Sequence, residues 1–336
     1  MDGCLFVFAS GKTVLVPWDV PMAEERSAVD QIIPYASFRR SWRDLLTAVL
    51  RQNGIDETPG RSCELPSRTS WLRWKEISDD LPGVRILLRT DGFESFISKA
   101  RQIKDAAEIA AIEKAAAITD AVIELIEAKL SAPGGADSVR EIDMAQLIER
   151  EALGLGAEGI GFETLAAGPS RSWAIHAFPA CSAGPFASQG LSILDFGVKV
   201  DGYSSDVTLT IARGRLSREQ ASMIGLVQDA YGAAMKALGP GVSPQEVART
   251  VDGIFAAADW TMPHGLGHGL GLDVHESPAV RSQGDNLEPA FIPGMVFTVE
   301  PGLYHPDHGG VRWENDVLIT ATEARTLTHA RIIRIA

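Results

Sequence analysis

The sequence predicts an α+β fold in two parts, and three observations support it. Strand and helix signals alternate through the first hundred residues. After residue 100 the order becomes helix, helix, hairpin, and that order then occurs a second time. Apolar residues make up 45% of the 336 and charged residues 22%, both close to globular averages, which excludes disorder, collagen and a coiled coil. The expected organisation is a small α/β domain over residues 1–100 and a larger domain over residues 101–336. The two halves of the larger domain share no sequence period, so their pseudo-twofold relation is one of topology.

In the small domain, Cys4 to Phe8 and Thr13 to Pro17 flank Ser10-Gly11-Lys12, a hairpin-like turn signal. A helix is expected from about Ser41 to Arg51, and Val84 to Leu88 reads as a buried strand. The larger domain opens with an amphipathic stretch from Ala106 to Leu130. Ile109, Ile112, Ala116, Val122 and Ile126 fall near helical spacing there, and Pro133-Gly134-Gly135 ends it. Ser138-Val139-Arg140-Glu141 has the capping-box pattern and opens a second helix towards Leu153. Ser217-Arg218-Glu219-Gln220 opens a third, which stops near Gly239-Pro240-Gly241. Ser243-Pro244-Gln245-Glu246 opens a fourth, with proline at the first helical position. Between the helix pairs, Leu191 to Val200 and Tyr203 to Ala212 are joined by Asp201-Gly202, a strong hairpin signal. Met295 to Glu300 and Val311 to Thr320 form a second strand pair across a longer loop.

Charge and cysteine usage narrow the function. The chain has 31 Lys+Arg against 44 Asp+Glu, a net charge of −13, which suits solubility and opposes a nucleic-acid partner. Cys4, Cys63 and Cys181 are odd in number and widely spaced, with no C-x-x-C pair, so neither a zinc ribbon nor a disulfide framework is expected. They suit a reducing cytoplasm. Met1 to Phe8 lacks the basic start and long apolar stretch of a signal peptide. No apolar run reaches the ~18 residues that a membrane span requires, so no membrane partner is expected.

Chemistry concentrates in three places. In the first hairpin, a two-residue turn at Asp201-Gly202 pairs Val200 with Tyr203 and sets Gly197 opposite Asp206. Asp195 lies two residues from Gly197, so both aspartates project to one face as diagonal neighbours. Their repulsion in an apolar setting is costly unless a cation lies between them; two strand-end aspartates facing water are the alternative. In the second pair, Glu300 ends the run Met295-Val296-Phe297-Thr298-Val299, and Glu314 lies within Val311-Arg312-Trp313-Glu314-Asn315-Asp316. A carboxylate inside a β-branched strand is rarely a packing choice. Four such groups offer hard oxygen ligands, enough to bridge two divalent cations. The third place is the glycine-spaced run His264 to Glu276, which holds His264, His268 and His275. It matches neither a dinucleotide fingerprint nor H-E-x-x-H, and its glycines allow the backbone close to a ligand. His176, alone on an apolar segment, reads by itself as a core histidine.

The ordered set LDFG, SSDVT, HGLGHGLGLDVHE, TVEPGLY and VRWEND resembles the pita-bread metallopeptidases: prolidase, aminopeptidase P, methionine aminopeptidase and the metal-free creatinases. Lys104 to Asp120 is similar to that family's opening helix, so the resemblance covers roughly residues 100 to 336. It implies a C-terminal pita-bread catalytic domain behind a shortened creatinase-like N-terminal domain. It also implies five ligands to two divalent ions: Asp195, Asp206, His268, Glu300 and Glu314. Asp206 and Glu314 would bridge, His268 and Glu300 would complete one site, and Asp195 the other. Mn²⁺ is the expected metal, with Co²⁺, Zn²⁺ or Fe²⁺ as substitutes. His176, His264 and His275 match histidines that position substrate and stabilise the tetrahedral intermediate, so His176 moves from the core to the active site. Glu300 is the expected general base, and Arg312 supports the last ligand.

The implied activity is exopeptidase hydrolysis of the bond before proline in Xaa-Pro dipeptides or short Xaa-Pro peptides, by a water activated between two ions. The implied assembly is a homodimer. An N-terminal domain favours the proline-specific branch over methionine aminopeptidase, and five retained ligands disfavour creatinase. The GHGLG loop lacks the bulky residue often found there in aminopeptidase P, which favours prolidase. Aminopeptidase P on longer peptides, methionine aminopeptidase and a non-catalytic binding scaffold follow in that order. The chain departs from the pattern at Thr208-Leu209-Thr210, where many proline-specific members carry arginine, and at Trp313 and Asn315 around Glu314.

Overall fold

The structure is a computed structural model, and it describes residues 3–39, 41–55, 61–284 and 288–336. The chain divides into two compact units, Met1–Ile97 and Ser98–Ala336.

In the first unit, strands Gly3–Val7 and Thr13–Pro17 pair antiparallel, and Gln31–Ile32 adds in parallel to the second of them. Helix Trp42–Gln52 starts at Ser41, whose hydroxyl accepts from the Asp44 amide. Its buried face of Leu45, Leu46, Val49 and Leu50 joins Val14, Val16 and Ile77 in one core. Arg85–Leu88 pairs in parallel with Ser62–Leu65 as a two-stranded sheet. The expectation of a buried strand there is corrected: Val84 before it is buried, but with one neighbour Ile86 and Leu87 stay half-buried and Arg85 and Leu88 are exposed.

The second unit has two halves of like construction. Helices Ala106–Ser131 and Glu141–Gly154 come first, and Asp105 and Glu108 form a capping box on the former. The latter helix starts two residues later than its serine signal suggests. The turn after Pro133 continues through Ser138, and the Asp143 carboxylate caps the Arg140 amide instead. This pair packs on a sheet ordered Ile332–Ile335, Val207–Arg213, Gly190–Phe196, Leu165–Ala167. Helices Arg218–Ala237 and Pro244–Ala256 pack on a second sheet, ordered Glu276–Val280, Gly267–Gly269, Val296–Val299, Asn315–Ile319, Ala324–Thr326.

Period-two alternation decides what each sheet buries and what it presents. Val207, Leu209 and Ile211 meet Val122, Ile126, Met144 and Ile148 of the first helix pair. Phe297, Val299, Val317 and Ile319 meet Ile224, Val227, Val251 and Phe255 of the second pair. Each such side chain contributes about 1.5–3 kcal/mol when fully buried, so register is strongly held. The alternate residues, Asp206, Thr208 and Thr210 on one side and Thr298 and Glu314 on the other, are left to face away from the helices.

Candidate metal centre

The first hairpin keeps its expected register through a break. Val200 pairs with Tyr203, Phe196 with Val207 and Asp195 with Thr208. The ladder is interrupted at Gly197, where a Cβ would meet the Ser205 carbonyl oxygen at 1.9 Å. The second strand pair contains more than a loop. Gly302–His305 and Gly309–Arg312 form an inner hairpin, beyond which Val296–Val299 pairs with Asn315–Ile319. The residues between those paired segments, from Glu300 to Pro301 and from Trp313 to Glu314, therefore lie at a break in the ladder. A bridge from Thr208 to Glu314 then joins the two hairpins, with the Glu314 amide donating to the Thr208 carbonyl at 3.2 Å.

That bridge brings the acidic residues together. One oxygen of Asp206, one of Glu314 and one nitrogen of His268 lie within 4.8 Å of one another. His268 Nε2 is 3.6 Å from Asp206 Oδ2 and 3.8 Å from Glu300 Oε1. Asp195 approaches with Arg312, whose Nη2 donates to its Oδ2 at 2.5 Å, while its Oδ1 is buried without a partner.

Burial raises the affinity of all four carboxyls for protons. Glu314 is pushed up to about 7, by burial and then by Asp195. Asp206 is held well above the usual carboxylate range by burial, Glu314 and Asp195, and Glu300 likewise by burial and Glu314. Asp195 is raised by burial, against the pull of Arg312. Two like charges about 4 Å apart repel by roughly 4 kcal/mol at an effective dielectric of about 20, so these groups either hold protons or share cations. The histidine chooses between the two. Burial drives His268 down to about 4, leaving it neutral, and its Nδ1 faces the Gly269 carbonyl at 3.1 Å. A carbonyl only accepts, so Nδ1 carries the proton and the Nε2 lone pair points at carboxylate oxygens. The lone pairs of the neutral His268 imidazole and of the Asp206 and Glu314 carboxylates converge as a donor set suited to hard divalent cations.

Around this set lies a second layer of hydrogen bonds. Arg312, 2% exposed, donates from Nε to Thr208 Oγ1 at 2.8 Å and from Nη1 to the Tyr304 hydroxyl at 3.0 Å. Thr208 Oγ1 donates to Glu314 Oε2 at 2.6 Å. His264 Nδ1 donates to the Gly265 carbonyl, so its Nε2 accepts from Tyr304 at 3.0 Å. The Asp206 amide donates to Asp316 Oδ2 at 3.1 Å. His275 lies exposed with its ring 4.1 Å from that of His268. His176, which by itself reads as a core residue, is exposed and lies near Asp195 and His264.

Thr208, Tyr304 and Asp316 lie outside the sequence expectations. Thr208 could have been found from alternation, since Asp206, Thr208 and Thr210 share one face of a strand whose other face is wholly apolar. Tyr304 gives no such signal.

Residues 110–321 match metallopeptidase family M24. The chain is 32% identical over 335 residues to the Xaa-Pro dipeptidase of Pyrococcus furiosus, covering 97% of this chain and 87% of that one. It superposes on the solved prolidase from the same organism with a TM-score of 0.82 at 27% identity, over 97% of this chain and 90% of the other. The X-Pro aminopeptidase of Thermotoga maritima shares the fold, with a TM-score of 0.82 at 23% identity over 99% and 88%. Among the described residues, no helix is long and apolar enough to cross a membrane.

Proposed function

The chain belongs to metallopeptidase family M24, and from that premise we propose that it hydrolyses the bond before proline in Xaa-Pro dipeptides. Asp195, Asp206, His268, Glu300 and Glu314 would hold two divalent ions, Mn²⁺ first among them. The observation that carries this reading is the convergence of Asp206, Glu314 and His268 donor atoms within 4.8 Å. Likeness over nearly the whole length to a Xaa-Pro dipeptidase favours that substrate class over longer peptides.

When bound, the ions supply Lewis-acid activation of the scissile carbonyl and of the attacking water. Glu300, a carboxyl with raised proton affinity at the edge of the set, takes the proton at an Oε atom and returns it to the leaving amine. His275 and His176, exposed beside the donor set, donate hydrogen bonds to charge developing on the substrate oxygen. Both ring nitrogens of His264 are engaged, so it offers its ring face to position the substrate. Arg312 fixes Asp195 and, through Thr208, Glu314.

Division of the chain at Ile97/Ser98 supports a small domain over about 1–100 and a catalytic domain over 101–336. Family membership also leads us to expect a homodimer whose partner subunit helps roof the site; full activity in a monomer at micromolar concentration by sedimentation would count against it. A panel of Xaa-Pro dipeptides, longer Xaa-Pro peptides and Met-Ala peptides tests the substrate class, with fastest turnover expected on the dipeptides. Glu314→Gln should abolish that turnover and lower the content of both ions by elemental analysis. A metal-free wild type that takes up no divalent ion would overturn the reading.

A further inference from the structure

His275 lies at the end of a segment, Gly271–His275, that belongs to neither strand beside it. An exposed imidazole on such a segment has two rotatable side-chain bonds and no strand pairing beneath it. Its ring nevertheless lies over that of His268. The next residue, Glu276, accounts for this placement. Its side chain is 7% exposed and meets two cations from the start of the second unit. Arg101 Nη2 donates to Oε1, and Lys104 Nζ donates to Oε2 at 3.3 Å. The Asp273 amide donates back to Oε1 at 3.0 Å, which closes the segment on itself.

Each partner of Glu276 is in turn fixed. Lys104 is 1% exposed at its side chain, and its amide donates to the Gly294 carbonyl at 2.9 Å. Arg101 also holds Asp273 Oδ2 at 2.8 Å. Glu276 pairs across the sheet with Gly269, the neighbour of His268, so its backbone registers both histidines at once. Gly271 leaves room for the carboxylate: a Cβ there would meet Glu276 Oε2 at 2.7 Å. Lysine and glutamate are rarely buried unless paired, and here the Lys104 ammonium and the Glu276 carboxylate are buried against each other.

We propose that Glu276, gripped by Arg101 and Lys104, is a positioning residue that fixes the Gly271–His275 segment and so holds the His275 ring over His268. It rests on the Xaa-Pro hydrolysis proposed above, in which His275 acts on the substrate oxygen. Removing the grip leaves the donor set intact but lets His275 leave its position.

The test compares the full-length chain with Glu276→Gln, Lys104→Met and, as a control, Glu124→Gln, whose side chain is 69% exposed and lies outside the grip. Two readouts are taken. Steady-state hydrolysis of a Xaa-Pro dipeptide with Mn²⁺ gives kcat and KM separately. In metal-free protein carrying labelled histidine, the ring-to-ring nuclear Overhauser effect between His268 and His275 reports placement without turnover. Glu276→Gln should lower kcat about tenfold or more, with KM within about twofold and Mn²⁺ content unchanged. It should also lose the ring-to-ring effect, while Glu124→Gln keeps both. Glu276→Asp should recover part of the kcat. If Glu276→Gln does not fold, Lys104→Met is read in its place. Wild-type kcat with the effect retained would overturn the proposal, as would loss of kcat together with Mn²⁺ content. A wild type inactive on every Xaa-Pro substrate would sink the functional reading instead, and the ring-to-ring effect would still decide the role of Glu276.

Discussion

The Thr208 hydroxyl accepts from Arg312 and donates to Glu314, so one small group orders a cation and an acid that would otherwise find each other directly. Thr208→Val keeps the shape and removes both bonds. Mn²⁺ affinity should fall about 10- to 100-fold by isothermal titration, the usual effect of removing a residue that orients a ligand. His275→Ala should behave in the opposite way, with kcat down about 10²-fold and metal content unchanged. If kcat and metal content both stay at wild-type values, His275 is structural. At this scale the sequence was informative wherever a residue had no packing reason to be present. Carboxylates between valines and phenylalanines announce a site, as do histidines spaced by glycine. Threonine is at home in any strand and tyrosine in any core, so alternation could place Thr208 on the acidic face, but what Thr208 and Tyr304 do there became visible only with their partners.

Each hairpin was readable because a turn fixed its register and alternation fixed its faces. Asp201-Gly202 determines every pairing from Val200↔Tyr203 back to Gly190↔Arg213. What stayed hidden was local crowding. Gly197 interrupts its strand and Gly267 begins its own, and at both another backbone passes where a side chain would be. Gly267→Ala would drive a Cβ to 1.9 Å from the Thr298 carbonyl oxygen, next to the strand pairing that carries His268. A loss of about 2–3 kcal/mol is expected, measured as a lower urea midpoint at unchanged slope. The late start of helix Glu141–Gly154 has a similar cause. Ser138 fits a cap by pattern, but the preceding turn uses it, and Asp143 does the capping three residues into the helix.

Over the whole molecule, the two helix-backed sheets leave their acidic faces to meet at one bridge, and pH should reveal the strain. Glu314 is held near 7 in the folded chain, well above an ordinary glutamate, so the fold favours its protonated form. That stability is present at low pH and lost as pH rises through about 7. His264 and His268, depressed to about 4, are neutral in both folded and unfolded chains above about pH 6.5 and add nothing there. The melting temperature in chelator should therefore fall between about pH 6.5 and 8, and excess Mn²⁺ should abolish or reverse that slope. A chelated protein whose melting temperature rises over this interval would show that the carboxyls are not strained. The bridge from Thr208 to Glu314 spans 106 residues. Ribosomes add about 5–20 residues per second, so the first hairpin emerges roughly 5–20 s before its counterpart exists. During that interval Asp195 and Asp206 are two solvated acids on an unfinished sheet, with nothing to distinguish them from other surface aspartates. Any ion these residues come to hold is therefore captured after synthesis of the second hairpin. Its uptake would depend on what the surroundings offer the finished chain, not on what the ribosome meets.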